Sequence, residues 1–355
     1  MALYPKLILE ALEKVRYPGN GKNLVEADMV DDNIRIDGNK VSFSLIFEKP
    51  TDPFIRSVVK SAETAILTYV GPEVEIVGNI SVVSRQQARP EVGKFLPQVK
   101  NVIAISSGKG GVGKSTVTAN LAVALRQRGC NVGILDADIY GPSQNKMFGL
   151  EGYIPDAERD EEGKDYIIPA QSLGIKVMSI GFFIKPTDAL MWRGGMATNA
   201  LHQLIHQTRW GKLDYLLIDL PPGTGDIHLS IINELKISGA VIVSTPQQVA
   251  VADVVRGVEM FRHPQVNVPV LGVVENMAWF TPEELPDNKY YLFGKGGAKQ
   301  YAEAVGVDLL GQIPIIQSIM EGSDDGRPAG GFDPRVEKYY AEIAAKVVEK
   351  LPTEC

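Results

Sequence analysis

The stretch Gly108-Lys109-Gly110-Gly111-Val112-Gly113-Lys114-Ser115-Thr116 constrains this chain more than any other feature. It fits the phosphate-binding pattern GxxxxGK[ST], which requires a strand running into a glycine loop and the loop into a helix. Gly108, Gly110, Gly111 and Gly113 allow backbone dihedrals closed to other residues, so successive N–H groups, including that of Val112, can converge on a polyphosphate. Lys114 then supplies a point charge near the β/γ-phosphates, and the Ser115 hydroxyl is placed to ligate Mg²⁺. Thr116 opens a helix whose N-terminal dipole favours anions. Both flanks agree with this reading. Asn101–Ser106 is a short apolar run of strand type, and Val117, Leu121, Ala124 and Leu125 recur at helical spacing until Gly129 stops the helix. A second lysine inside the loop, Lys109, narrows the class.

Beyond the loop, apolar runs alternate with helical patterns. The runs are 101–106, 131–136, 215–219, 240–245, 270–275 and 309–313. They predict an α/β fold with a mostly parallel sheet flanked by helices. Nearly every run ends in a polar group or a turn: the phosphate loop, Asp136 and Asp138, Asp219, Thr245-Pro246-Gln247, Asn276 and Pro314. Ligands of open α/β sheets bind at the carboxyl ends of the strands, so one nucleotide is expected to touch all of them. Asp219, which leads into Leu220–Asp226, is expected to hold Mg²⁺, the alternative being a helix cap. Of Asp136 and Asp138, one is read as supporting the metal's water shell and the other as orienting the attacking water, the alternative being a solvated pair. No Asn-Lys-x-Asp sequence of the guanine-reading kind occurs, so the expected base is adenine and the nucleotide ATP.

Residues 1–84 read as a separate small α/β domain. It has a helix around Leu7–Val15, a hairpin of Ile34–Ile36 and Val41–Phe47 about Asp37-Gly38-Asn39, a helix over 53–69 and a strand over 74–83. Residues 85–100, with Arg85, Arg89, Pro90, Gly93 and Pro97, lack apolar periodicity and read as a linker, leaving 101–355 as the phosphate-loop domain. The charged patch 156–165 reads as a solvated loop. A chain of 355 residues with 45% hydrophobic content can bury a large core. A net charge of −7 argues against a nucleic-acid footprint and against attraction to anionic membrane. No apolar leader or membrane-spanning run occurs, and the expected address is cytoplasmic.

Two cysteines, Cys130 and Cys355, are far apart and make no disulfide framework. Cys130 reads as a buried small hydrophobe and Cys355 as a mobile terminus. His202 and His206 stand four apart, a metal-compatible spacing, but with no evident third ligand they read as plain helix surface. Trp192-Arg193 reads equally as a phosphate sensor or as surface packing. Val336, Tyr340, Ile343, Val347 and Leu351 predict a core-packing helix rather than a membrane anchor.

Taken together, Gly108–Thr116, Leu135–Ser143, Trp192-Arg193-Gly194, Asp219–Asp226, Thr245-Pro246-Gln247, Val274–Met277 and Asp325–Pro328 resemble the Mrp/ApbC ATPases. These belong to the MinD/ParA class of deviant Walker A proteins. The resemblance spans almost all of 95–330, and the N-terminal unit is similar to a small domain that many members carry. It implies an ATP-binding and ATP-hydrolysing homodimer that uses Mg²⁺ and carries or assembles iron–sulfur clusters for client or scaffold proteins. By this resemblance Lys109 reaches across the dimer to the partner's phosphates, so that hydrolysis depends on assembly. Asn276 contacts adenine with the backbone near Pro314 beside it, Asp138 is the hydrolytic aspartate, and Asp136 is its metal-side companion. Cluster-carrying members have a Cys-x-x-Cys pair shortly after the segment matching Asn276-Met277, but Met277–Phe293 here contains no cysteine or histidine. A thiolate-held cluster cannot form at that place. Asp52-Pro53 likewise stands where related small domains commonly have Cys-Pro. A second reading is a nucleotide-dependent protein-interaction switch that binds no cluster. A third, a small-molecule kinase or ligase, is disfavoured by Lys109 and the Asp219–Asp226 signature.

Overall fold

The computed structural model describes residues 4–31, 34–47, 52–84, 96–161, 163–183, 195–353 and 355. The chain divides into two compact units, Met1–Glu91 and Val92–Cys355.

In the first unit the helical and strand periods of the sequence become α1 (Pro5–Leu12), β1 (Arg35–Asp37), β2 (Lys40–Phe47), α2 (Ile55–Tyr69) and β3 (Ile80–Ser84). Alternate residues of β2, namely Val41, Phe43, Leu45 and Phe47, are buried together with Ile8 and Leu12 of α1 and Val58, Ala62 and Ile66 of α2. β1 pairs antiparallel to β2 through a turn that Gly38 closes at φ 58°, and β3 pairs parallel to β2. The strand expected over 74–83 begins only at Ile80, because Gly78 at φ 80° breaks the extended run. Asp52 accepts hydrogen bonds from the Phe54 amide (2.8 Å) and from the Tyr17 hydroxyl, so it fastens the entry to α2.

The second unit runs β4 (Val99–Ser106), α3 (Lys114–Gln127), β5 (Val132–Asp136), α4 (Gln144–Met147), β6 (Ala157–Arg159), β7 (Asp165–Ile167), β8 (Ala170–Ser172) and β9 (Ile175–Ser179). It continues α5 (Gly195–Gln207), β10 (Leu213–Asp219), α6 (Asp226–Glu234), β11 (Gly239–Ser244), α7 (Gln248–Arg262), β12 (Val270–Glu275), α8 (Gly297–Ala304), β13 (Leu309–Gln312), α9 (Gln317–Asp324) and α10 (Pro334–Lys350). Among the described residues eight strands form one sheet in the order β13-β12-β11-β4-β10-β5-β9-β8, all parallel except the edge pair β9–β8. Strand β10 shows why both faces need cover. Leu216 and Ile218 join Leu204, Val258 and Phe261 in the core on one side, while Tyr215 and Leu217 join Leu121, Leu125, Tyr340 and Ile343 of α3 and α10 on the other. The terminal helix buries Val336, Tyr340, Ile343 and Val347, as its spacing predicts. Among the described residues no helix is long and apolar enough to cross a membrane.

Two further expectations are corrected. The patch 156–165 is not a plain loop: it contains the β6–β7 hairpin, in which Arg159 and Asp165 face each other and pair at 2.7 Å. The cysteines are bonded to each other, with Cys130 and Cys355 Cα atoms 4.4 Å apart. After α10 the chain is drawn along the amino-terminal edge of the sheet. The Tyr215 hydroxyl donates to the Leu351 carbonyl (2.6 Å) and the Thr353 hydroxyl to Asp214 (3.0 Å), which brings Cys355 back to the start of β5. Cys130 is therefore not a free small hydrophobe, and Cys355 is not a loose terminus.

Candidate nucleotide site

The parallel register sets the site. Asp219 at the end of β10 lies level with Asp136 on β5 and Ile105 on β4, so two carboxylates reach the edge beside the phosphate loop. The loop itself ends at Gly113, whose φ of 82° is the left-handed conformation that glycine permits, and α3 starts at Lys114.

Lys114, 6% exposed, forms an ion pair with the fully buried Asp219, and its ammonium also lies 3.2 Å from the Ser115 hydroxyl. Thr118 donates to the same Asp219 oxygen at 3.2 Å. Gln144 of α4 donates to the other at 2.8 Å and to the Ser115 carbonyl at 3.0 Å. Asp136 accepts from the amides of Ser143 (2.9 Å), Gln144 (3.0 Å) and Asp138 (3.2 Å) and from the Ser179 hydroxyl (3.0 Å). Asp138 is buried and accepts from the Gly141 amide at 3.2 Å.

Three buried carboxylates thus surround one ammonium. Burial pushes Asp136 up to about 7, the Asp219 charge adds to the rise, and the Gln144 amide, Lys114 and Ser179 oppose it. Asp138 is also raised, chiefly by burial, with Lys114 opposing and Asp219 adding. A hydroxyl and two carboxylates are an all-oxygen donor set, which suits a hard cation of the Mg²⁺ kind. Such a cation would also relieve the crowding of negative charge.

On the other side of the loop, the Asn276 side chain donates to the Val112 carbonyl at 2.9 Å, and its amide nitrogen would stand 2.3 Å from a Cβ at position 113. Pro314 is buried beside this segment, because the Ala278 amide bonds the Ile313 carbonyl (2.9 Å) and the Ile315 amide the Trp279 carbonyl (2.7 Å). The structure therefore gathers Lys114, Ser115, Asp136, Asp138 and Asp219 on one side and Asn276 and Pro314 on the other. Gly108, Gly110, Gly111 and Thr116 lie in the loop and the first helical turn, and the side chain of Lys109 is exposed. Trp192, Arg193 and Gly194 lie outside the described residues.

Several residues here escape sequence reasoning. Gln144, which bridges Asp136 and Asp219, and Ser179, which donates to Asp136, sit in a four-residue helix and in an unrecognised short strand. Glu275, fully buried, accepts from the Ala298 amide (2.9 Å) and the Gln312 side chain (2.6 Å), anchoring the start of α8. His228 on α6 is 1% exposed, and burial holds its imidazole below the ordinary range, with the Lys114 charge contributing.

Comparison with known proteins follows the same division. The description of the ParA proteins, the NUBPL iron-transfer P-loop NTPases, matches residues 98–351, and that of an iron–sulfur cluster assembly protein matches residues 6–78. The chain belongs to the NUBPL iron-transfer P-loop NTPase family. It is 44% identical over 346 residues, 97% of both chains, to the iron–sulfur cluster carrier protein of Synechocystis sp., and 42% identical, again over 97% of both chains, to that of Aquifex aeolicus. Among solved structures, a nucleotide-binding protein of Archaeoglobus fulgidus in complex with ADP is 40% identical, with 69% of this chain and 94% of that one covered and a TM-score of 0.59. The cell-division ATPase MinD of Pyrococcus furiosus, 24% identical with a TM-score of 0.51 over 70% of this chain and 99% of that one, shares the fold.

Proposed function

We propose that the carboxyl edge of the large sheet binds ATP with Mg²⁺, and that slow hydrolysis there opens and closes a homodimer serving iron–sulfur protein maturation. The observation that carries this reading is the mutual contact of Lys114, Ser115 and Asp219 directly behind the phosphate loop. The main-chain amides of Gly108–Gly113 would grip the phosphates, and Lys114 would exchange Asp219 for phosphate oxygens. Ser115 and Asp219 would hold the Mg²⁺, with Asp136 in its water shell, and the ion would neutralise charge on the leaving phosphate. Asp138 would orient the attacking water and take its proton, helped by the basicity that burial gives it. Lys109, exposed at the loop, would complete the partner's site, while Asn276 and the backbone at Pro314 would flank adenine.

Relatives matching the full length are named cluster carriers, and this supports a place in cluster assembly with client or scaffold proteins as partners. One observation favours a second reading, in which the chain is a nucleotide-dependent interaction switch and the cluster rests on other proteins' thiols. Met277–Phe293 holds no cysteine, and the chain's two thiols are joined to each other. Anaerobic incubation with iron and sulfide, with the disulfide intact and reduced, separates the two. Stoichiometric iron with a visible charge-transfer band, lost in Cys355→Ser, identifies a carrier with unconventional ligands. A colourless protein that still hydrolyses ATP identifies the switch, and absence of ATP turnover with Mg²⁺ overturns both.

A further inference from the structure

Far from the phosphate loop in sequence, His202 and His206 stand one helical turn apart on α5, and Glu234 is the last residue of α6, which packs against α5. The His202 Nδ1 lies 3.1 Å and the His206 Nε2 3.5 Å from the same carboxylate oxygen, Glu234 Oε2. We propose that His202, His206 and Glu234 form a binding site for a divalent first-row transition ion of the zinc class, separate from the nucleotide's Mg²⁺.

The geometry is that of a half-assembled coordination shell. Donors held about 2.0–2.2 Å from an ion in tetrahedral or octahedral order stand about 3.0–3.5 Å from one another. Two of the three edges already have that length, and all three ligand atoms lie within 4.8 Å of one another. The two imidazole rings, with centroids 4.0 Å apart, are near enough to share one cation. Burial and the neighbouring His202, with Lys164 contributing, hold His206 below its usual range, while Glu234 opposes this. Exposure is graded across the site: His202 is 55% exposed, His206 18% and Glu234 23%, which leaves a solvent side for ion entry and for water in the remaining coordination positions.

Two imidazoles and one carboxylate select the borderline ions Zn²⁺, Co²⁺, Ni²⁺ and Fe²⁺ over Mg²⁺ and Ca²⁺, which prefer all-oxygen shells. An ion here would also clamp the last turns of α5 and α6. Because α6 leaves directly from the Asp219–Gly225 loop, the clamp would fix the helix on which that loop is mounted.

The test uses the untagged full-length protein, stripped with chelator and kept free of reductant so that the disulfide stays closed. Millimolar Mg²⁺ is present throughout to saturate the nucleotide-site carboxylates. Co²⁺ titration should produce ligand-field bands saturating at one equivalent per chain, bleached by one equivalent of Zn²⁺, and Zn²⁺ should raise Tm. His202→Ala, at a position 55% exposed, should weaken Zn²⁺ at least about 10-fold in competition with a chromophoric chelator. Glu234→Gln should do the same, and His202→Ala/His206→Ala should abolish the bands. Asp219→Asn should leave them unchanged. The proposal is overturned if no Co²⁺ bands appear, if the double histidine variant binds as tightly as the parent, or if binding is lost in Asp219→Asn instead.

Discussion

Strand β10 has an aspartate near each end, and the two are treated differently. Asp214, at the amino-terminal edge and 4% exposed, accepts from Lys100 (2.8 Å), the Asn131 amide (2.7 Å) and Thr353 (3.0 Å). Burial alone would raise it, but these hydrogen bonds together carry it below the ordinary carboxylate range. Asp219, at the carboxyl edge and fully buried, shares the single Lys114 ammonium with its neighbours Asp136 and Asp138, both of which are raised. The amino-terminal edge neutralises its charges internally and closes with a disulfide, which is the arrangement of an edge that holds the fold together. The carboxyl edge gathers three buried carboxylates about one ammonium, an arrangement that a cation would balance.

The contrast can be broken by substitution. Lys114→Ala should weaken Mg·ATP binding about 100-fold or more, roughly 2.7 kcal/mol, by calorimetric titration, and a loss under tenfold would mean the carboxyl edge is not the phosphate site. Asp138→Ala should retain ATP and the closed dimer while kcat falls by about 100-fold, and normal turnover would remove Asp138 from the mechanism. At the opposite edge, Cys355→Ser should cost about 2–4 kcal/mol of unfolding free energy by denaturant titration and leave nucleotide affinity unchanged. Asp214→Ala should cost about 2 kcal/mol, since it leaves the Asn131 amide without its acceptor, and a matching loss of ATP affinity would show that the edges are coupled.

A further contrast between the edges is the sign of their pH dependence. Asp136 binds a proton more tightly in the folded chain than at its ordinary 3.8, so its contribution is full at low pH and is lost as pH rises through the window up to about 7. Asp214, lowered, contributes above its ordinary value, and that stability is lost as pH falls below it. Tm of the nucleotide-free protein should show the first slope flattened in Asp136→Asn and the second in Asp214→Asn; an unchanged profile in both would remove the electrostatic contrast.

Much of the carboxyl edge was legible because its residues sit where a strand period ends, and strand ends are visible in one dimension. Asp136, Asp219 and Asn276 were reached in this way, and the apolar runs predicted six of the eight strands of the large sheet. Strand β9 was missed because Ile-Lys-Val-Met-Ser is short and carries a lysine at its second position, and with it went Ser179, a donor to Asp136. Gln144 was invisible because a four-residue helix has no period to read. The disulfide joins residues 225 apart, and Glu234 meets His202 from another helix, so both pairings exist only once the sheet has formed.

The Asn276 amide occupies the space that even a methyl group on residue 113 would need, and it is hydrogen-bonded to the same loop. The glycine loop and the stretch beginning at Met277 are therefore keyed to one another at the Asn276 side chain. That stretch displays Phe280, Tyr290 and Leu292 to solvent where a thiol pair would be expected. If a nucleotide binds at the loop as proposed, what it could send outward along this route is a displacement of apolar surface rather than a change in metal ligation.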